Sequence, residues 1–133
     1  MSLPKPKGYL PNPLTLGDHI KNTRLEKGLL QIEVAELFNI HVSSITNWEQ
    51  NHHQPDIQYY PIIFKFLGQI PFDLIYESLG DRIRSYRILN GMSQERLANY
   101  LGINESTIFH YEKGTKKPKP FILSRLLKML YED

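Results

Sequence analysis

The side chains of this chain that could do chemistry fall into two groups, scattered histidines and clustered lysines. His41, His52, His53 and His110 raise the question of a metal site. Adjacent histidines rarely present both rings to one ion, and with no cysteine in 133 residues no thiolate completes a ligand set. The same absence removes a thiol nucleophile and any disulfide framework. There is no glycine-rich phosphate loop, no serine with a matching histidine and acid, and no carboxylate pair at useful spacing. No enzyme is expected, and no cofactor or metal. The lysines say more. Lys113, Lys116, Lys117 and Lys119 concentrate positive charge in one short stretch, chemistry suited to a polyanion, although such a stretch often only solvates a face.

The elements that must position these residues occur twice, 63 positions apart and without a gap. Leu16-Gly17-Asp18 returns as Leu79-Gly80-Asp81, Arg24 as Arg87, and Gly28 as Gly91. Gln31, Ala35, Ile40 and Ser43 return as Gln94, Ala98, Ile103 and Ser106. Ile45, Glu49 and Pro55 return as Ile108, Glu112 and Pro118. A fixed period means a repeated structural unit. Units of about fifty-five residues bury only about 60% of their unfolded surface, so the two are expected to pack in tandem. Their charges differ. Residues 14–70 carry four Lys/Arg against six Asp/Glu, whereas residues 78–131 carry ten against four. That asymmetry predicts unequal roles. No apolar run approaches the ~18–20 residues of a membrane span, and the N-terminus has no secretory pattern. A cytoplasmic protein with no membrane partner is expected.

Residues 1–13, with Pro4, Pro6, Pro11 and Pro13, cannot sustain a helix or a ladder. They predict an extended arm, read either as a disordered terminus or as a segment whose Lys5, Lys7 and Tyr9 reach a nucleic-acid groove. Thr15-x-x-Asp18 and Ser78-x-x-Asp81 are capping boxes opening the first helix of each unit, in 14–77 and 78–133. Gly28 and Gly91 suit left-handed caps at their ends. A second short helix is expected over 31–38 and 94–101, with apolar positions Val34, Leu37 and Phe38 matched by Leu97, Tyr100 and Leu101. Asn39 and Gly102 both tolerate the positive φ of a tight turn. A third helix follows over 42–50 and 105–113, with Ile45/Trp48 and Ile108/Tyr111 facing inward. A fourth runs over about 58–67 and 121–130, and residues 71–76 read as a short fifth helix connecting the units. Nothing reads as a strand, so the fold class is all-α.

Two helices joined by a short turn at Gly or Asn, with a small Ala facing that turn, describe a helix-turn-helix. Residues 31–45 and 94–108 fit it. The second copy carries Gly91-Met92-Ser93-Gln94-Glu95-Arg96-Leu97-Ala98, Leu101-Gly102-Ile103, Glu105-Ser106-Thr107-Ile108 and Tyr111-Glu112-Lys113-Gly114. Both units resemble the Cro/C1-repressor (Xre) class, the lambda-repressor-like helix-turn-helix domains, over about residues 14–131. The first departs from the second in having Trp48-Glu49-Gln50-Asn51 where the latter has Tyr111-Glu112-Lys113-Gly114.

The resemblance implies domains of four to five helices whose third helix lies in the major groove. It also implies structural ion pairs, here Arg24–Glu49 and Arg87–Glu112, that set the register of that helix. DNA-reading positions are then His41, Val42, Ser43, Ser44 and Asn47 in the first unit, and Asn104, Glu105, Ser106, Thr107 and His110 in the second. Gln31 and Gln94 match a family glutamine that binds phosphate, and Arg96, Lys113, Lys116 and Lys117 stand where backbone contacts are expected. Val42 suits a thymine methyl and Asn47 an adenine edge. Glu105 has three readings: an acceptor for a cytosine amino group, a repeller of phosphate, or a helix N-terminal charge.

The second unit reads as the better DNA binder. Ser93 can cap where Leu30 cannot, and Lys113-Gly114-Thr115-Lys116-Lys117 faces Gln50-Asn51-His52-His53-Gln54 in the first. The expected function is sequence-specific binding of double-stranded DNA by a bacterial or phage transcriptional regulator, nucleoid-associated, with two recognition helices. The alternative is an antitoxin-like adaptor in which only the second unit binds DNA while the acidic first unit holds another protein or a second copy. RNA is a poorer fit, because its deep A-form groove does not admit the motif.

Overall fold

A computed structural model describes residues 4–132. Among them every regular element is helical, in the order α1 (Leu16–Glu26), α2 (Gln31–Phe38), α3 (Val42–Glu49), a 3-10 turn (Ile57–Tyr59), α4 (Tyr60–Leu67), α5 (Leu79–Asn90), α6 (Gln94–Leu101), α7 (Glu105–Lys113) and α8 (Pro120–Tyr131). The chain divides into two compact units, Met1–Pro71 and Phe72–Asp133.

Each unit starts on its capping box. Thr15 Oγ1 accepts from the Asp18 amide at 3.0 Å while Asp18 Oδ2 accepts from the Thr15 amide at 3.3 Å. Ser78 and Asp81 do the same at 3.0 and 3.1 Å. Behind the caps, Ile20, Val34, Ala35, Ile45, Trp48 and Ile63 fill the first core. Ile83, Leu97, Ala98, Leu101, Ile108, Tyr111 and Leu126 fill the second. The turn between α2 and α3 passes through Asn39 at φ 55°, and that between α6 and α7 through Gly102 at φ 72°. Leu37 and Tyr100, grouped above with the apolar positions of the second helix, are 60% and 64% exposed. Val34/Ala35/Phe38 and Leu97/Ala98/Leu101 are the residues that α2 and α6 turn inward, which leaves positions 37 and 100 on the flank.

No fifth helix forms over residues 71–76, contrary to the sequence expectation. Six residues containing a proline give too little propagation to offset helix nucleation. The segment is instead a strap fastened to α5: Ser85 Oγ donates to the Ile75 carbonyl at 2.8 Å, and Arg82 Nε to that of Tyr76 at 2.9 Å.

The first unit has a counterpart in the arm, of which residues 1–3 lie outside the described residues. The Leu10 amide donates to Asn22 Oδ1 at 2.7 Å, and Asn22 Nδ2 donates back to the Leu10 carbonyl at 2.8 Å. The described part of the arm is therefore pinned to α1 rather than loose. Asn22 and Ser85 stand 63 positions apart and both are buried. In each unit a polar residue inside the core thus satisfies a strap carbonyl, although Leu10 and Ile75 themselves stand 65 rather than 63 positions apart.

Candidate nucleic-acid interface

The third helix of each unit is fixed to the first by a bidentate ion pair. Arg24 Nε and Nη2 donate to Glu49 Oε2 and Oε1 at 2.7 and 2.8 Å, and Arg87 donates likewise to Glu112 at 2.6 and 2.9 Å. The remaining guanidinium nitrogen of each bonds the carbonyl of Leu29 or Met92, both at 3.0 Å. All four side chains are nearly buried. Removing one partner of such a pair costs about 3–5 kcal/mol, because the other charge stays buried alone. These residues hold the frame and do no chemistry at the surface.

Two glycines let the frame close. A Cβ on Gly17 would overlap the Trp48 carbonyl oxygen, and one on Gly80 would lie 2.5 Å from the Glu112 carbonyl oxygen. The end of the third helix therefore presses its carbonyls onto the start of the first. In the first unit this junction carries an extra clamp. Asn51, at φ 60°, donates through Nδ2 to Asp18 Oδ1 at 2.9 Å and accepts from Thr15 Oγ1 at 2.6 Å. Burial disfavours the charged form of Asp18, but hydrogen bonds from Asn51 and from the Leu14 and Thr15 amides outweigh it, holding the carboxyl below its ordinary range. The second unit has Gly114 at this place and lacks the amide.

With Ile45/Trp48 and Ile108/Tyr111 turned into the cores, α3 and α7 present their other face outward. The N-cap residue Asn104 is exposed, as are Glu105, Ser106 and His110 on α7, and Thr107 is half-buried. His110 Nδ1 lies 2.8 Å from Thr115 Oγ1, tying the helix to the loop that carries the exposed Lys116 and Lys117. On α3, Ser43 is exposed, and Val42, Ser44 and Asn47 are half-buried. His41 serves as the cap of α3, its Nδ1 accepting the Ser43 amide at 3.1 Å. Gln31 and Gln94 both donate to the frame glutamate, to Glu49 at 3.1 Å and to Glu112 at 3.3 Å. Their side-chain amides are thus oriented by the ion pair, while their backbone amides open α2 and α6.

The units diverge along the second helix. Ser93 Oγ caps α6 by accepting the amide of the exposed Arg96 at 3.0 Å. Leu30 has no side-chain cap to offer; its own amide donates to Glu33 Oε1 at 2.8 Å. Glu33 occupies the position of Arg96, with Leu30, Ile32 and Leu37 exposed around it. One outward residue of α7 escaped the sequence reading. Phe109 is 44% exposed, with Lys113 Nζ 5.6 Å from its ring centroid and the His110 ring edge-on at 5.4 Å. The 63-residue period pairs it with Thr46, whose hydroxyl bonds Gln31 Oε1 at 2.8 Å, and this mismatch of a framework residue against an aromatic was the available signal.

The surroundings offer little else. Among the described residues no group of three or more His, Cys, Asp or Glu is placed to hold a metal ion. No described helix is long and apolar enough to cross a membrane.

The helix-turn-helix family model HTH_3 matches residues 20–75 and again residues 83–130. A stretch of 47 residues is 38% identical to the cryptic phage CTXphi transcriptional repressor RstR of Vibrio cholerae, covering 35% of this chain and 42% of that repressor. The match thus spans less than half the length of that relative. No solved structure matches the chain. Two family matches covering more than half of the sequence, each on a unit with the same buried ion pair, place it: the chain belongs to the helix-turn-helix family of the Cro/C1-repressor (Xre) type, represented twice in tandem.

Proposed function

We propose that this chain is a sequence-specific double-stranded DNA-binding protein, a bacterial or phage transcriptional regulator acting in the cytoplasm at the nucleoid, with α3 and α7 as recognition helices. The observation that carries the reading is α7. Exposed Glu105, Ser106 and His110, with Asn104 at the N-cap, are backed by a nearly buried ion pair, and exposed Lys113, Lys116 and Lys117 stand at and beyond the helix end. Side chains of that kind on a helix start meet base edges, and lysines beyond them neutralise phosphate. Family membership and the resemblance to a phage repressor support the same conclusion.

A second reading concerns the first unit alone. Glu33 stands where the second unit has Arg96, and exposed Leu30, Ile32 and Leu37 surround it. An acidic and apolar helix face repels a DNA backbone and suits a protein, another chain or a second copy, leaving DNA to the second unit.

Selection of bound sites from a random duplex pool at physiological salt separates the two. A two-part motif, with half-sites about one helical turn (~34 Å) apart, supports reading by both units. A single short motif supports the second reading. Binding without any enrichment refutes sequence-specific regulation altogether.

A further inference from the structure

We propose that Phe109 is a specificity-determining residue of the second unit, which meets the C5-methyl group of a thymine in the major groove; this rests on the DNA-reading function above. Phe109 sits on the outward row of α7, one turn after Glu105 and Ser106 and one turn before Lys113, while its neighbours Ile108 and Tyr111 face the core. The apolar ring is left 44% exposed there. Its orientation is nevertheless restrained, with the Lys113 ammonium 5.6 Å from the ring centroid and His110 edge-on at an interplanar angle of 82°. A ring held in place on a groove-facing helix can make apolar contact with the thymine methyl, the one apolar group that a base pair shows in the major groove.

The repeat supports this assignment. At the same place α3 has Thr46, whose hydroxyl is turned to Gln31 Oε1 at 2.8 Å and to the Val42 carbonyl at 3.2 Å. The first unit therefore uses the position to orient its own frame. In the second unit Phe109 can form neither bond, and Gln94 keeps only its donation to Glu112 among the described hydrogen bonds. The two recognition helices thus differ in kind here, one contributing framework and the other an apolar reader.

The test uses the full chain and a duplex enriched from the random pool, with each thymine replaced singly by deoxyuridine, which removes the methyl and nothing else. At one thymine the replacement weakens wild-type binding about fourfold, the equivalent of one apolar carbon group at ~0.8 kcal/mol. Phe109→Ala binds the two duplexes equally, and its unchanged melting curve shows that it folds. If no thymine is methyl-sensitive, or if Phe109→Ala keeps the wild-type ratio, the proposal is overturned while DNA reading stands. If no duplex is enriched at all, DNA reading fails and takes the proposal with it. A Phe109 that serves only to pack against Lys113 predicts loss of binding without any change in the thymine-to-uracil ratio.

Discussion

At the scale of single residues, the two copies keep what holds the third helix and vary what surrounds it. Arg24–Glu49 and Arg87–Glu112 reproduce each other in atoms and nearly in distance, down to the third bond to a carbonyl. Asp18 shows the variation. Asn51 supplies it with a hydrogen bond that the glycine at position 114 cannot supply, and together with the cap hydrogen bonds this outweighs burial and lowers its titration. A carboxyl that titrates lower when folded than when unfolded adds stability while ionised, above its unfolded value. That stability is lost as pH falls through the folded value. Asp18→Asn should therefore lower the melting temperature at neutral pH, and its gap to the wild type should close as pH falls below about 4. Thermal melts of both proteins across that range measure it. A gap that stays constant would show that the charge of Asp18 contributes nothing.

At the scale of elements, helices were legible wherever capping residues and apolar period agreed. Thr15/Asp18 and Ser78/Asp81 announce the starts of α1 and α5, and Ile45/Trp48 and Ile108/Tyr111 the buried faces of α3 and α7. The straps were not legible, because their hydrogen bonds come from Asn22 and Ser85, polar residues on helices that local pattern alone would have turned outward. Gly17 and Gly80 were visible as repeated letters without a reason. The reason is tertiary: a carbonyl of the third helix fills the space where their side chain would be. Gly80→Ala consequently forces α5 away from the end of α7, an overpacking that typically costs 1–3 kcal/mol. For a unit of this size that is a fall of roughly 4–8 °C in melting temperature per kcal/mol. Gly114→Ala carries strain of another origin, since it sits at φ 75° with open space around it. Urea denaturation should show the Gly80 variant with weakened Arg87–Glu112 coupling as well, seen as a smaller added effect of Arg87→Ala in the double variant. Full additivity would mean that the close approach and the ion pair are independent.

At the scale of the whole chain, the question is how two units with one frame share the work. Residues 78–131 carry ten basic residues against four acidic, and residues 14–70 four against six. Frame geometry is common to both units, so it does not decide between them; the surface does. Exposed Lys113 ends α7 and exposed Lys116 and Lys117 follow it, whereas Gln50, His52 and His53 follow α3. If DNA binding draws its electrostatic part from the second unit, replacing Lys116 and Lys117 together with Ala should weaken binding and flatten the dependence of log K on log salt by up to roughly 0.9 per lost phosphate contact. The same replacement at His52 and His53 should leave both the affinity at neutral pH and the slope close to those of the wild type. Titrating salt against binding of one selected duplex by the two double variants makes the comparison. Equal losses would mean that the first unit grips the backbone as firmly as the second despite its acidic surface, and the reading of α2 as a protein-docking face would then have to be abandoned.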